Sequence, residues 1–325
     1  MMNSVFSSSS IGDVQAMGLE VADTSVAVLP APKPQYPIEL VAFDLDGTLL
    51  RHDLSFPEGV VDAVKQLIAT PGLTVAIATG RMLYSAMPFA QALGLKGPLM
   101  TYQGGMVLFP EDAPENWQRP NVDTDPILLP SYHQPVPRDT ALTLVRDLTA
   151  MGYSINCYLH PQLLIQAVDD EDARWYERTS GVTPHRTQTL VAQMEASPLA
   201  PTKLAIMARD PEKAKTLKAY LAHAETQHPI VACQSRSFFF EVNHVHATKW
   251  HAIQAVCQSL GIPEKHTLCL GDHGNDIPML LNAGYGIAMG NATPEAKEAA
   301  TWVTKAQEEG GIVHALKALG LLPEA

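Results

Sequence analysis

The sequence predicts an α/β fold, with a parallel-sheet core interrupted by an inserted α+β domain, and three observations carry that prediction. Short apolar runs with almost no alternation recur along the chain, the pattern of strands buried on both faces. Segments of helical period separate them, so strand, helix and strand succeed one another through right-handed crossovers. The rhythm stops near residue 111 and resumes near 238, which brackets an insertion.

In chain order, the run Ile38–Ala42 leads into Phe43-Asp44-Leu45-Asp46-Gly47-Thr48-Leu49-Leu50. Two aspartates fall where a buried strand should end, and a glycine lets the chain turn. Ligands of open α/β sheets sit outside the carboxyl ends of the strands, and two like charges placed there call for a cation between them. Pro57-Glu58 opens a helix carrying Val60, Val61, Val64, Leu67 and Ile68 at helical spacing. Gly72 ends that unit, and Leu73–Ala78 is a second strand leading into Thr79-Gly80-Arg81. A second helix runs to Leu93 with Gly94 as its C-cap, and Leu99–Tyr102 is a third strand ending at Gly104-Gly105. From about Glu111 to Gln134 the chain is rich in Pro, Asp and Asn, which predicts a linker or extended hairpin. A helix near Thr140–Met151 and strands at Tyr153–Tyr158, Leu163–Ala167 and Lys203–Met207 then follow in α+β order. The first rhythm returns at Phe238–Val242, followed by a helix over Lys249–Leu260 and the strand Thr267–Leu270, which ends in Gly271-Asp272. Another helix leads to the strand Tyr285–Met289, and Thr293-Pro294-Glu295 starts a helix with Thr as N-cap.

The 325 residues are 46% hydrophobic and 17% charged, enough for a sizeable core in an ordinary globular protein. A formal net charge of −12 argues against a nucleic-acid partner and requires local cations and a metal to gather an anionic substrate. Cys157, Cys233, Cys257 and Cys269 are widely spaced without a CxxC pair, which predicts a reducing, cytoplasmic setting and no disulfide scaffold. No segment approaches the ~18 uninterrupted apolar residues of a membrane span, so no membrane partner is expected. Residues 1–36, with Ser7–Ser10 and the run Leu29-Pro30-Ala31-Pro32-Lys33-Pro34, lack the basic start and apolar core of a secretory signal and read as a loosely ordered tail.

Four strand ends carry candidate groups: Asp44 with Asp46, Thr79, the Lys249 region, and Asp272 with Asp276. Each alone has a bland reading as a turn, a solvated lysine or a helix N-terminal charge; all four on the ends of one sheet are harder to dismiss. They fit phosphoryl chemistry. A carboxylate attacking phosphorus splits a hard hydrolysis into two easier steps. Magnesium, with its preference for hard oxygen ligands, offsets the charge of an anion attacking an anion. A second carboxyl group can protonate the leaving oxygen and then deprotonate water, while a hydroxyl and an ammonium hold the remaining phosphoryl oxygens.

Asp44-Leu45-Asp46-Gly47-Thr48, Ala78-Thr79-Gly80-Arg81, a lysine before a helix, and Gly271-Asp272-x-x-Asn275-Asp276-x-x-Met279 resemble the four motifs of haloacid dehalogenase-like hydrolases. Ala288-Met289-Gly290-Asn291-Ala292-Thr293-Pro294 resembles the Cof-type branch, which carries a large α/β cap between its second and third motifs. The resemblance covers residues 38 to 325. It implies a Rossmann-like core over 37–127 and 238–325 and a cap over 128–237. It implies Asp44 as nucleophile and Asp46 as general acid/base and metal ligand through its carbonyl. Thr79, Gly80 and Lys249 would bind the phosphoryl group, and Asp272 with Asn275 or Asp276 would complete a magnesium site that includes Asp44. Lys203 opens a strand of the insert and is a rival for the phosphate lysine; Lys249, at a helix start after the core returns, suits a fixed ligand better. Arg81, Lys203, Arg186 and His160 are candidate substrate contacts, and Arg51 reads as a surface charge or a cleft residue. His244, His246 and His273 lie beside the motifs but are poor magnesium ligands. The branch usually ends its third strand in Asn-Gly, whereas this chain has Gln103-Gly104. The expected activity is magnesium-dependent hydrolysis of a small phosphorylated metabolite, a sugar phosphate or a nucleotide-like ester, by a monomer or weak homodimer. The alternatives are a phosphotransferase or mutase with the same nucleophile, and a binding regulator without turnover.

Overall fold

The computed structural model describes residues 30–110, 129–160 and 162–323. The tail up to residue 29, the linker or hairpin up to residue 128 and the boundary at 127/128 lie outside the described residues.

The first part of the chain forms β1 (Leu40–Phe43), α1 (Val60–Ile68), β2 (Thr74–Ala78), α2 (Leu83–Leu93), β3 (Leu99–Thr101), β4 (Met106–Leu108) and β5 (Tyr132–His133). The insert follows as α3 (Arg138–Ala150), β6 (Ser154–Leu159), β7 (Gln162–Gln166), α4 (Asp170–Ser180), β8 (His185–Arg186), α5 (Leu190–Ala196), β9 (Lys203–Met207), α6 (Pro211–Gln227), β10 (Ile230–Arg236) and β11 (Phe239–His244). The chain then adds α7 (Lys249–Leu260), β12 (Thr267–Gly271), α8 (Ile277–Asn282), β13 (Tyr285–Ala288), α9 (Pro294–Ala299), β14 (Trp302–Val303) and α10 (Gly311–Ala318).

The core sheet has the order β14-β13-β12-β1-β2-β3-β4-β5. Pairing is parallel from β14 to β3 and antiparallel over β3-β4-β5. All four residues of β1 are fully buried, which is why the run needs no alternation. Val41 and Phe43 join a cluster with Val60, Leu67, Leu83 and Leu316 on one face. Leu40 and Ala42 join Trp250, Ile253, Val256 and Met279 on the other. Successive strands pass from β1 to β2 and β3 on one side, and return as β12 and β13 on the other. The strand order therefore reverses between β1 and β12, and a crevice at their carboxyl ends is where such sheets bind ligands.

The insert builds its own sheet, β10-β11-β9-β6-β7-β8. Its second core joins Leu144, Leu148, Leu217 and Leu221 of the helices to Ile155, Cys157, Leu204, Ile206, Phe240 and Val242. Phe239–His244 thus belongs to the insert: β11 pairs antiparallel with β9 and β10, with Phe239 opposite Met207. This moves the return to the core from the expected residue 238 to the stretch after His244. A strand buried on both faces has the same apolar signature in either sheet, so the run Phe238–Val242 could not reveal which one it joined.

Residues 31–36, expected as the end of the tail, lie against the core. Tyr285 Oη donates to the Pro32 carbonyl at 2.6 Å, and Tyr36 stacks on His266 with ring centroids 6.0 Å apart. The insert docks through an aromatic seam. Tyr102 of the core meets Tyr158 edge-on at 5.6 Å, and Tyr158 shares a hydroxyl hydrogen bond with Tyr176, whose Oη lies 3.9 Å from Met82 Sδ. Among the described residues no helix is long and apolar enough to cross a membrane.

Candidate active site

β1 delivers Asp44 to the crevice, its N–H donating to the Leu270 carbonyl at 2.9 Å so that the ladder extends one residue past the strand. The loop that follows closes on itself through Leu50 N–H to Leu45 O (2.7 Å) and Gly47 N–H to Leu50 O (3.0 Å). Gly47 sits at φ 84°, and a Cβ there would overlap the Asp272 carboxylate. Only glycine allows both the turn and the close approach. Thr48 Oγ1 then donates to Asp272 Oδ1 at 3.1 Å.

On the far side of the crevice, β12 ends in Gly271 and Asp272. The wholly buried Asp276 folds back, its Oδ2 accepting from the N–H groups of Asp272 (2.9 Å) and His273 (3.0 Å). Gly271 makes room, since a Cβ there would lie 2.5 Å from Asp276 Cγ. Lys249, the first residue of α7, is also wholly buried, and its ammonium donates to Asp44 Oδ1 and Asp276 Oδ1. Asp276 thereby accepts from a lysine and two amides, which fixes the loop and the ammonium.

Carboxylate oxygens of Asp44, Asp272 and Asp276 lie within 4.8 Å of one another. Three carboxylates face one ammonium, and their environment reflects it. Burial pushes the Asp44 carboxyl well above its ordinary range; Lys249 opposes that shift, while Asp276 and Asp272 reinforce it. Asp272 is raised by burial and then by Asp276, against the hydrogen bond from Thr48. Burial works against the Lys249 ammonium, but Asp276 and Asp44 together outweigh it and raise its pKa. The donors are all hard oxygens carrying excess negative charge, which fits a divalent cation of the magnesium type.

Thr79 directly follows β2 and is fully buried, and its Oγ1 accepts from Arg81 N–H at 3.1 Å. That bond occupies an acceptor position and leaves the hydroxyl proton to be donated. Asp46 stands apart from the three clustered carboxylates: its half-exposed side chain receives a fork from Arg81, Nε to Oδ2 at 2.7 Å and Nη2 to Oδ1 at 2.5 Å. Arg81 in turn lies over Phe89, 5.1 Å from the ring centroid.

The third strand ends in a tight turn in which Tyr102 (φ 54°), Gln103 (φ 63°) and Gly104 (φ 95°) are all left-handed. Each non-glycine residue so placed costs roughly 1–3 kcal/mol, and surrounding bonds hold them there: Tyr102 N–H to Arg81 O at 2.8 Å and Gln103 N–H to Thr79 O at 3.1 Å. Asn275, exposed beside Asp276, donates its amide to Gln103 Oε1 at 2.9 Å.

The structure therefore brings together Asp44, Asp272, Asp276 and Lys249, and places Lys203 elsewhere. Lys203 pairs with Glu241 in the insert sheet and lies over the Tyr158 ring at 5.3 Å. Arg186 pairs with Asp170, and Arg51 with Glu308, both at exposed positions. His244, His246 and His251 cluster with one another, with centroids 5.4 and 4.9 Å apart, and stand outside the carboxylate group; His273 is exposed. Sequence reasoning gave no role to Asn291 and Gln307. Asn291 donates to the Gly47 carbonyl at 2.9 Å and accepts from Gln307 N–H at 2.8 Å, while the Gln307 amide reaches Leu50 O. Together they brace the loop after Asp44 from behind. The position of Asn291 just beyond a strand end was the signal available.

A family model described as haloacid dehalogenase-like hydrolase matches residues 41–316. The chain is 26% identical over 296 residues to a 5-amino-6-(5-phospho-D-ribitylamino)uracil phosphatase of Bacillus subtilis, covering 86% of this chain and 96% of that protein. It is 27% identical over 258 residues to an HMP-PP phosphatase of Serratia proteamaculans, covering 79% and 86%. Among solved structures, a haloacid dehalogenase-like hydrolase from Bacteroides thetaiotaomicron matches with a TM-score of 0.71 at 22% identity, over 86% of this chain and 98% of that one. A sugar phosphatase of subclass IIB matches with a TM-score of 0.66 at 20% identity, over 87% and 100%.

Proposed function

The chain belongs to the haloacid dehalogenase-like hydrolases and is a phosphatase, and from that premise we propose that it hydrolyses small phosphate monoesters through a phosphoryl group carried on Asp44, with magnesium as its cation. The observation that carries the reading is the buried Lys249 ammonium shared by Asp44 and Asp276, with Asp272 alongside.

Lys249 engages Asp44 Oδ1, which leaves Oδ2 to attack phosphorus. The bond from Oδ2 to phosphorus forms as the ester P–O bond breaks, and Asp46 donates a proton to the departing oxygen. Asp46 then takes a proton from water as that water attacks the same phosphorus, releasing phosphate and regenerating the Asp44 carboxylate. Thr79 donates its hydroxyl to a phosphoryl oxygen, and the Lys249 ammonium steadies the charge that builds on another. Asp44 and Asp272 are the side chains that would hold magnesium, with the carbonyl of Asp46 and the amide of Asn275 as further ligands. Magnesium supplies charge neutralisation between the incoming phosphoryl group and the carboxylates. The insert would close over the site and select the alcohol that leaves, and the sugar phosphatase among the fold's relatives makes sugar phosphates the first class to examine.

Phosphate release from a panel of sugar phosphates, nucleotides and cofactor phosphates tests this. Turnover should need magnesium, stop with EDTA and vanish in Asp44→Asn. Hydrolysis that survives either treatment would overturn the mechanism, and phosphate release only in the presence of a sugar acceptor would point to a phosphotransferase.

A further inference from the structure

We infer that Gln103 is a positioning residue for Asn275, holding that side chain so that its carbonyl end is presented toward the carboxylate cluster; the inference rests on the magnesium reading above. Three motif loops meet at the turn that carries Gln103. Its N–H is bound to the Thr79 carbonyl at 3.1 Å. Its amide nitrogen lies against Gly80, where a Cβ would come within 2.5 Å of Nε2. The next residue, Gly104, backs onto the carbonyl of Thr248, immediately before Lys249, so closely that a Cβ would overlap it. Across the crevice, Asn275 Nδ2 donates to Gln103 Oε1 at 2.9 Å.

An amide has one donor end and one acceptor end, so fixing the donor fixes the other. With Nδ2 committed to Gln103, Asn275 keeps Oδ1 for a cation, and an oxygen is the only end of that amide magnesium would accept. Without Gln103 the amide is free to turn over and present nitrogen. Chain length matters here: Asn at 103 is one methylene shorter and cannot close the bond across Gly80, although asparagine tolerates the left-handed backbone. The extra methylene of Gln103 is therefore what lets this turn reach the Asp272 loop, and the left-handed conformation at residues 102–104 is what aims it.

The test is calorimetric titration of magnesium alone into metal-free full-length protein. Gln103→Asn should weaken magnesium binding about tenfold, the effect usual for a group that orients a ligand rather than binding the metal, with the melting temperature in EDTA unchanged. Gln103→Met, which keeps the reach and removes the amide, should show the same loss and serves if the first variant folds poorly. In an Asn275→Ala background, Gln103→Asn should add nothing. Affinity within about twofold of wild type in both variants, or an equal loss in the Asn275→Ala background, would overturn the inference while leaving the magnesium reading standing. Absence of magnesium binding by the wild type would overturn both.

Discussion

Replacing Lys249 by methionine removes the one ammonium that the structure places among three carboxylates and leaves a side chain of similar volume. Lys249 and Asp276 are wholly buried and Asp44 nearly so, so no solvent replaces the lost charge. Breaking a buried pair by deleting one partner costs about 3–5 kcal/mol. At roughly 2 °C per kcal/mol for a protein of this size, the metal-free variant should melt about 6–10 °C below wild type near neutral pH. The pH dependence has a definite sign. The Asp44 and Asp272 carboxyls already sit above their ordinary 3.8 in the native state, and loss of the ammonium raises them further. A carboxyl raised on folding destabilises the native state above its native pKa, and the penalty fades as pH falls toward the unfolded value. The gap to wild type should therefore narrow by about pH 5. Thermal melts followed by circular dichroism in EDTA, at both pH values, measure this. A gap below about 2 °C near neutral pH, or one that widens on acidification, would refute the electrostatic reasoning.

Arg81→Lys loses the fork onto Asp46 but keeps a charge. Because the pair is partly exposed, the melting temperature should hold within about 2 °C, while kcat falls about tenfold or more. An unchanged kcat would show that Arg81 does not position Asp46. Gly47→Ala places a methyl group against the Asp272 carboxylate at a left-handed position, and should cost both stability and at least about tenfold in kcat/KM. Wild-type kinetics in that variant would mean the loop has more room than the structure gives it.

The sheet core was legible because β1, β2, β12 and β13 are nearly continuous apolar runs, the first three followed at once by polar residues, and burial on both faces leaves that mark. The carboxylates of Asp44, Asp272 and Asp276 were legible for the same reason, since each lies at or just after a strand end. What the sequence could not show was the partner of each side chain. Asp276 reads as a possible metal ligand, and its oxygen lies in the carboxylate cluster, but its bonds to Lys249 and to two backbone amides had no mark in the sequence. Asp46 paired in sequence with Asp44, yet its carboxylate turns to Arg81. Those choices depend on loop geometry of a few ångströms, which residue order does not encode. The run Phe238–Val242 reads as a return to the core, whereas Phe239–His244 pairs within the insert sheet, because nothing local separates a buried strand of the insert from one of the core. Gln103 was noticed as a departure, but its reach to Asn275 emerged only with the left-handed turn.

The central claim is that Asp44 carries the phosphoryl group. Borohydride quenching of the enzyme during turnover reduces an acyl phosphate to an alcohol, and peptide mass spectrometry then locates the altered residue. Homoserine at position 44, dependent on substrate and absent from Asp44→Asn, is the expected result. Steady turnover with Asp44 recovered intact, or with the reduced residue at Asp46 or Asp272, would contradict it.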